Sequence, residues 1–272
     1  MKESTDYELK FLMFLGRHLP PIPHVTGIIN RVLKPVYLRK ERKSVVADVF
    51  DFKMLLNPRE CVDGGILFHP HLFDRTEIKF LQKNLHEGDI FLDVGANIGF
   101  YSLIVSRIVG DEGRVLAIEA DPFIYHQLVT NIEMNEIKNI TAINRGVSDK
   151  DEVLSLGICT IGNRGGNSFL REGNEKIEVV CSTLLDIILS ADILQVKAIK
   201  IDIEGFEYRV LKKFFEQAPA EMHPEILLIE HIPAMNAVAG GDCIQLLTEQ
   251  GYSVLKTNCI NYIMVKNHPE RL

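Results

Sequence analysis

The stretch from Ile90 to Tyr101 constrains this chain more than any other, because it joins two hydrophobic periods through glycine. Ile90, Phe91, Leu92 and Val94 make a short apolar run of the kind that a strand buried on both faces requires. Gly95 and Gly99 follow and punctuate a tight turn. From Ile98 to Val109 the apolar residues then recur at helical spacing, through Ile98, Tyr101, Leu103, Ile104, Val105 and Ile108. Strand, glycine turn and helix in this order open a Rossmann-like α/β unit, whose turn cradles a nucleoside or a phosphate.

The residues of the turn discriminate between ligands. A dinucleotide fingerprint places three glycines around a pyrophosphate, but here Asn97 stands where the second would be, in Gly95-Ala96-Asn97-Ile98-Gly99. Asp93 precedes the turn, and a carboxylate suits a cation better than a phosphate. S-adenosylmethionine (SAM) carries a sulfonium and an ammonium and no phosphate, so the turn fits SAM better than NAD. The next apolar run, Arg114 to Glu119, ends on a carboxylate 26 residues beyond Asp93. That is close to the spacing at which an acid meets a ribose diol. Glu119 is therefore expected at the ribose, and Asp121, before Pro122, as a helix cap.

The rest of the chain continues the alternation. Strands are expected at Ile140–Asn144, Ala198–Asp202 and Glu225–His231, with a closing antiparallel pair around Tyr252–Leu255 and Asn261–Val265. Helices are expected at Thr76–Leu85, Phe123–Met134, Ser182–Leu189, Tyr208–Phe215 and Gly240–Gln250, the third capped by Ser182 or Thr183. Val153–Leu156 and Ile177–Val180 read as a strand pair whose polar connection, Gly162 to Ser168, is a candidate acceptor loop. Asp202-Ile203-Glu204-Gly205 closes one strand and Glu230-His231 another, at the carboxyl ends where α/β sheets hold ligands.

Ahead of this alternation, residues 1–63 form a separate extension, and 64–272 the ligand-binding domain. Tyr7–Leu15 and Val25–Leu38 suggest helices, broken by Pro20-Pro21-Ile22-Pro23, and Val45–Leu56 suggests a hairpin around Asp51. The cluster Arg39, Lys40, Arg42 and Lys43 leaves open a peripheral membrane contact; a helical lid or an oligomer contact accounts for the same charges. His69 and His71, in the segment that Gly64-Gly65 opens, could share one side of a strand, but with no third ligand nearby they predict no metal site.

Composition excludes some classes. A net charge of −7 argues against an electrostatic grip on nucleic acid. Five scattered cysteines without a Cys-x-x-Cys pair read as reduced thiols of a cytoplasmic protein. No run of about 18 apolar residues predicts a spanning helix, and the acidic start is unlike a signal peptide.

One family unites these motifs. Phe91-Leu92-Asp93-Val94-Gly95-Ala96-Asn97-Ile98-Gly99, with Glu119, Asn131-Ile132, Gly146-Val147-Ser148-Asp149, Lys200-Ile201-Asp202-Ile203-Glu204-Gly205 and Leu228-Ile229-Glu230, resembles the FkbM-type SAM-dependent methyltransferases. The resemblance runs in order from about Gly64 to Met264. Thr183-Leu184-Leu185-Asp186 departs from it, since the family has Thr-Leu-Asp there and Asp186 is shifted.

The resemblance implies a class I methyltransferase sheet of seven strands, the last antiparallel. It also implies O-methylation of a hydroxyl on a sugar, glycan or polyketide-type molecule. The matching positions put Asp93, Gly95, Ala96, Asn97 and Gly99 around the methionine end of SAM, Glu119 on the ribose, and Gly146 and Val147 near adenine. Asp202 belongs to the same site, and Glu77 either reaches the methionyl ammonium or is a surface acid. A hydroxyl acceptor loses a proton during attack, so a base is useful. His231, Asp202 and Glu204 are the candidates, His231 first because its unperturbed pKa of about 6.5 leaves it mostly neutral at pH 7. Its competing role is a hydrogen bond to the loop before Pro233. Asp202 and Glu230 are alternatively a divalent-cation pair; no metal is assigned. Competing classes are an N-methyltransferase, which would show Asn/Asp-Pro-Pro-Tyr after the fourth strand, an NAD oxidoreductase, and a non-catalytic SAM-binding scaffold.

Overall fold

A computed structural model of the chain describes residues 7–18, 35, 44–159, 164–170, 173, 175–232, 238 and 240–267. Two compact units divide it, one formed by Met1–Arg75 with Ile161–Gly165, the other by Thr76–Thr160 with Gly166–Leu272.

The smaller unit holds α1 (Tyr7–His18), the antiparallel hairpin of β1 (Val45–Val49) and β2 (Phe52–Leu56), and α2 (Cys61–Phe68). The hairpin expected around Asp51 is present. The segment around His69 and His71 is not a strand: Gly64 and Gly65 lie inside α2, and His69 is its C-terminal cap. A side chain on Gly65 would meet the Phe73 ring at 3.0 Å, so the glycine serves close helix packing rather than a strand start. Apart from Pro35, the helix expected over Val25–Leu38 lies outside the described residues, as does the basic cluster Arg39, Lys40, Arg42 and Lys43.

The larger unit begins with α3 (Arg75–Asn84) and is built on β3 (Ile90–Val94), β4 (Arg114–Glu119), β5 (Ile140–Asn144), β9 (Ala198–Ile201), β10 (Ile226–Glu230), β11 (Tyr252–Asn258) and β12 (Asn261–Lys266). Their order across one sheet is β11-β12-β10-β9-β3-β4-β5. The pairs β5/β4, β4/β3, β3/β9 and β9/β10 are parallel, while β12 is antiparallel to both β10 and β11. Six strands therefore point one way and β12 the other. Chain order reverses between β4–β3 and β3–β9, and this switch point opens the crevice at the carboxyl end of β3.

The sequence explains the order of burial. Leu92, Val94, Leu116, Ile118, Ile199, Ile201, Leu227 and Ile229 are all buried in one core, as strands covered by helices on both faces demand. Each such side chain contributes about 1.5–3 kcal/mol by leaving water. The helices are α4 (Phe100–Val109), α5 (Pro122–Met134), α6 (Leu184–Ser190), α7 (Glu207–Gln217) and α8 (Cys243–Glu249). Thr183, not Ser182, caps α6; its hydroxyl accepts from the Asp186 amide and donates to the Asp186 carboxylate at 2.5 Å. That exchange gives the shifted Asp186 a structural role at a helix start.

A second sheet of three strands, β6 (Gly146–Ser148), β7 (Glu152–Ile158) and β8 (Glu175–Thr183), follows β5 in the chain. β7 and β8 form the expected antiparallel pair, and β6 adds a parallel neighbour to β8. Among the described residues no helix is long and apolar enough to cross a membrane.

Candidate active site

The glycine turn after β3 has the conformation that its residues allow. Gly95, Asn97 and Gly99 all have positive φ, at 75°, 49° and 88°. Asparagine is among the few non-glycine residues that enter this region at modest cost, which explains Asn97 in place of the second glycine. The amides of Gly95 and Ala96 both donate to the Ile118 carbonyl at 2.9 Å, locking the turn onto β4. From the far side, buried Asn131 donates to the Ile98 carbonyl at 2.8 Å.

Glu119 sits where the ribose acid was expected, at the end of β4. Its Oε2 accepts from the Asn97 amide at 2.8 Å and its Oε1 from the Asp121 amide at 2.9 Å. Each oxygen keeps a lone pair, so the carboxylate still has acceptor capacity toward a diol. Burial raises its pKa to about 7, against the pull of those amides and of Lys200. Asp121 caps α5 by accepting from the Phe123 amide at 2.8 Å, the role expected of it.

Two carboxylates present buried oxygens without hydrogen-bond partners. Asp93 is fully buried; its Oδ2 accepts from the Ser102 hydroxyl at 2.6 Å, while Oδ1 receives no hydrogen bond. Burial raises the Asp93 pKa, and Lys200 opposes this. Glu77 on α3 is likewise buried and is no surface acid. Its Oε1 accepts from Asn258 at 3.2 Å and its Oε2 receives no hydrogen bond. Unsatisfied buried acceptors are costly, and a cationic donor is the group that relieves them.

Beyond β9 and β10, the carboxylates of Asp202, Glu204 and Glu230 lie within 4.8 Å of one another. Glu204 has φ of 53° and Gly205 of 106°, and Glu207 fixes this bend by accepting from the amides of Ile203 at 2.9 Å and Gly205 at 3.2 Å. Burial, and then the neighbouring Asp202, Glu204 and Glu207, push the Glu230 pKa up to about 8. Three acids so close can hold a cation or share protons.

His231 is not part of that group. It follows the last residue of β10, and its ring is engaged elsewhere. Nδ1 lies 3.4 Å from Cys243 Sγ, Nε2 lies 3.8 Å from Asp242 Oδ2, and the ring packs edge-on against Tyr262 at 5.3 Å. Gly146 and Val147 lie in β6, where they are buried. A Cβ on Gly146 would meet Cys181 Sγ at 2.5 Å, and Val147 belongs to the main core.

The candidate acceptor loop is held down in its described part. Asn167 donates to Asp121 Oδ2 at 2.8 Å and accepts from the Cys159 amide at 2.8 Å. Ser168 donates to the Glu204 carbonyl at 2.8 Å, and Phe169 packs on Phe206 at 5.3 Å. These contacts fix the loop to the ends of β4 and β9.

Several contributors escaped the sequence reading. Lys200 lies among the carboxylates, and Ser102 bonds Asp93. Asp149 of the Gly146-Val147-Ser148-Asp149 motif pairs bidentately with Arg209 at 2.9 and 3.0 Å, which holds its pKa down against a desolvation cost. Lys200 is placed by strand register, opposite Asp93 across β3 and β9, which the order of residues does not state.

A family model described as a methyltransferase FkbM domain matches residues 93–254. Another, described as protein-L-isoaspartate(D-aspartate) O-methyltransferase, matches residues 36–149. Hexuronic acid methyltransferase AglP of Haloferax volcanii is 26% identical over 139 residues, covering 51% of this chain and 55% of that protein. Methyltransferase sdnD of Sordaria araneosa is 26% identical over 184 residues, covering 56% and 67%. The chain thus spans about half to two thirds of these curated relatives. Aeropyrum pernix fibrillarin in complex with natively bound S-adenosyl-L-methionine is similar with a TM-score of 0.42 and 13% identity, over 70% of this chain and 73% of that one.

The sheet order and the glycine turn are those of the class I methyltransferase fold. With the FkbM domain matched over more than half of its length, this chain belongs to the FkbM methyltransferase family.

Proposed function

We propose that this chain transfers the SAM methyl group to a hydroxyl oxygen of a sugar, glycan or polyketide-type small molecule. The observation that carries this reading is the acid group of Asp202, Glu204 and Glu230 beside the glycine turn, within which Glu230 has its pKa raised to about 8. Gly95 and Asp202 are in such close approach that the two strand ends form one site.

The residues fit SAM on their own chemistry. Oδ1 of Asp93 and Oε2 of Glu77 are buried acceptors suited to a cationic donor, and Glu119 retains acceptor capacity for a ribose diol. Asn97 and Gly99 shape the turn at the methionine end of SAM, and Gly146 and Val147 are assigned to the adenine side. When bound, SAM supplies a methyl carbon already activated by its sulfonium, so alignment of the acceptor oxygen provides much of the catalysis. Glu230, in its ionised form, takes the hydroxyl proton, and Asp202 and Glu204 orient the acceptor. Asn167 and Ser168, the anchored residues of the candidate loop, are assigned to the acceptor side. A sugar-type acceptor is also in keeping with the name of the Haloferax relative.

The test is calorimetric titration of the purified protein with SAM and separately with NAD, followed by transfer of labelled methyl to neutral sugars, amino sugars and hexuronic acids. Micromolar SAM binding, weakened by Glu119→Ala and accompanied by label on a hydroxyl, supports the reading. Label on nitrogen, or a folded protein that binds no SAM, overturns it.

A further inference from the structure

Lys200 is a cation placed where a parallel sheet rarely holds one. Strand β9 is otherwise apolar, with Ala198, Ile199 and Ile201 fully buried, yet Lys200 is retained among them with its side chain 12% exposed. Strand register sets it opposite Asp93, and its Nζ lies 3.8 Å from Asp93 Oδ1. The same ammonium donates to the Gly95 carbonyl at 3.3 Å and to Asp202 Oδ2 at 3.4 Å. The Tyr101 ring lies below it, 5.3 Å from Nζ to the centroid, an arrangement that favours a cation.

The charge reaches beyond these contacts. Carboxylates from four strands feel it: Asp93 at the end of β3, Glu119 at the end of β4, Asp202 after β9 and Glu230 at the end of β10. The positive charge holds the proton affinity of Asp93, Glu119 and Glu230 below what burial alone would set. Lys200 is thus surrounded by acids, a carbonyl and an aromatic face.

We propose, on the methyltransferase reading above, that Lys200 is a positioning residue of the cofactor site, tying the glycine turn to the end of β9 and balancing the charge of Asp93 and Asp202. The hydrogen bond to Gly95 joins the turn to β9. The pairing with Asp93 keeps a fully buried carboxylate available to a cationic ligand. A methionine would preserve the volume of Lys200 and its packing on Tyr101 while removing the charge; an arginine would preserve the charge.

The experiment compares wild type, Lys200→Met, Lys200→Gln and Lys200→Arg by calorimetric titration with SAM and with S-adenosylhomocysteine between pH 5.5 and 8.5, after melting curves establish folding. Loss of the charge is expected to weaken SAM at least tenfold at pH 7. The pH at which binding is half lost on acidification should move upward by about one unit, because uncompensated carboxylates protonate more readily. Lys200→Arg should recover most of the affinity and the wild-type midpoint. If the methionine chain does not fold, the glutamine chain carries the comparison. Wild-type affinity and an unmoved midpoint in a charge-free variant overturn the proposal and leave the methyltransferase reading standing. An arginine variant as weak as the methionine one also overturns it. Absence of SAM binding by folded wild type removes both.

Discussion

The carbonyl oxygen of Asp202 lies 1.9 Å from the point that a Cβ on Gly95 would occupy. The turn after β3 and the end of β9 thus touch backbone to backbone, and only glycine permits it. The φ of 75° at Gly95 adds a second requirement of the same kind. Gly95→Ala should therefore destabilise the fold by about 2–4 kcal/mol, combining overpacking with a left-handed backbone. Urea denaturation of the two chains checks this. A loss below about 0.5 kcal/mol would mean that the strand ends separate without cost.

Two carboxylates with raised proton affinity make ligand binding pH-linked. Glu119 is pushed to about 7 and Glu230 to about 8, so both are partly protonated near neutral pH. A cationic ligand favours their ionised forms, so SAM should expel protons on binding at pH 7. The observed binding enthalpy should then vary with buffer ionisation enthalpy, with a slope corresponding to about one proton released. Uptake, or no dependence on the buffer, would show that neither acid faces the ligand.

The same shifts oppose stability as pH rises. Each group binds its proton more tightly folded than unfolded, where the carboxyl titrates near 4.5. The ligand-free protein should be most stable, as far as these two groups decide it, below pH 4.5. It should lose stability as pH climbs to about 7 for Glu119 and about 8 for Glu230. Glu119→Gln should flatten the lower part of that decline in chemical denaturation measured across the range.

The sheet was legible because its signals are local. Ile90–Val94 and Arg114–Glu119 are continuous apolar runs bounded by glycine or acid, and they emerged with those bounds. Side-chain pairing was less so. Nothing in the order of residues states that Lys200 stands beside Asp93, because that follows from a parallel register set by the whole sheet. The same limit applies to His231: it was expected as a base because it ends a strand neighbouring that of Asp202 and Glu204, and the order of residues does not state that its ring lies against Cys243 and Asp242. Gly64-Gly65 misled because glycine inside a helix, admitted by the Phe73 ring, has the same local signature as a turn.

Glu230 and His231 can be told apart as proton acceptors. Glu230→Gln should lower kcat by about 10²–10⁴-fold while leaving SAM affinity within a few-fold, the range expected when a positioned base is removed. His231→Gln keeps a polar group at Cys243 and Asp242 and should cost stability, about 1–2 kcal/mol, more than turnover. Steady-state kinetics beside melting curves decide between them. A collapse of kcat in the histidine variant with an unchanged melting curve would restore His231 as the base.

Asn167 offers the cleanest separation of acceptor from cofactor. Its side chain bridges Asp121 at the head of α5 and the Cys159 amide at the end of β7, so it holds the acceptor loop without belonging to the glycine turn. Removing it with Asn167→Ala takes one donor from the buried Asp121 carboxylate and one acceptor from the Cys159 amide. Stability should fall by about 1–2 kcal/mol, the contribution of the lost hydrogen bonds. Loop freedom should appear as an acceptor KM raised roughly tenfold, because about 1.4 kcal/mol of ordering then has to be met on binding. The SAM dissociation constant should stay within about twofold, since Glu119, Asp93 and Lys200 keep their contacts. A variant that loses SAM and acceptor binding together would place the loop over the cofactor instead.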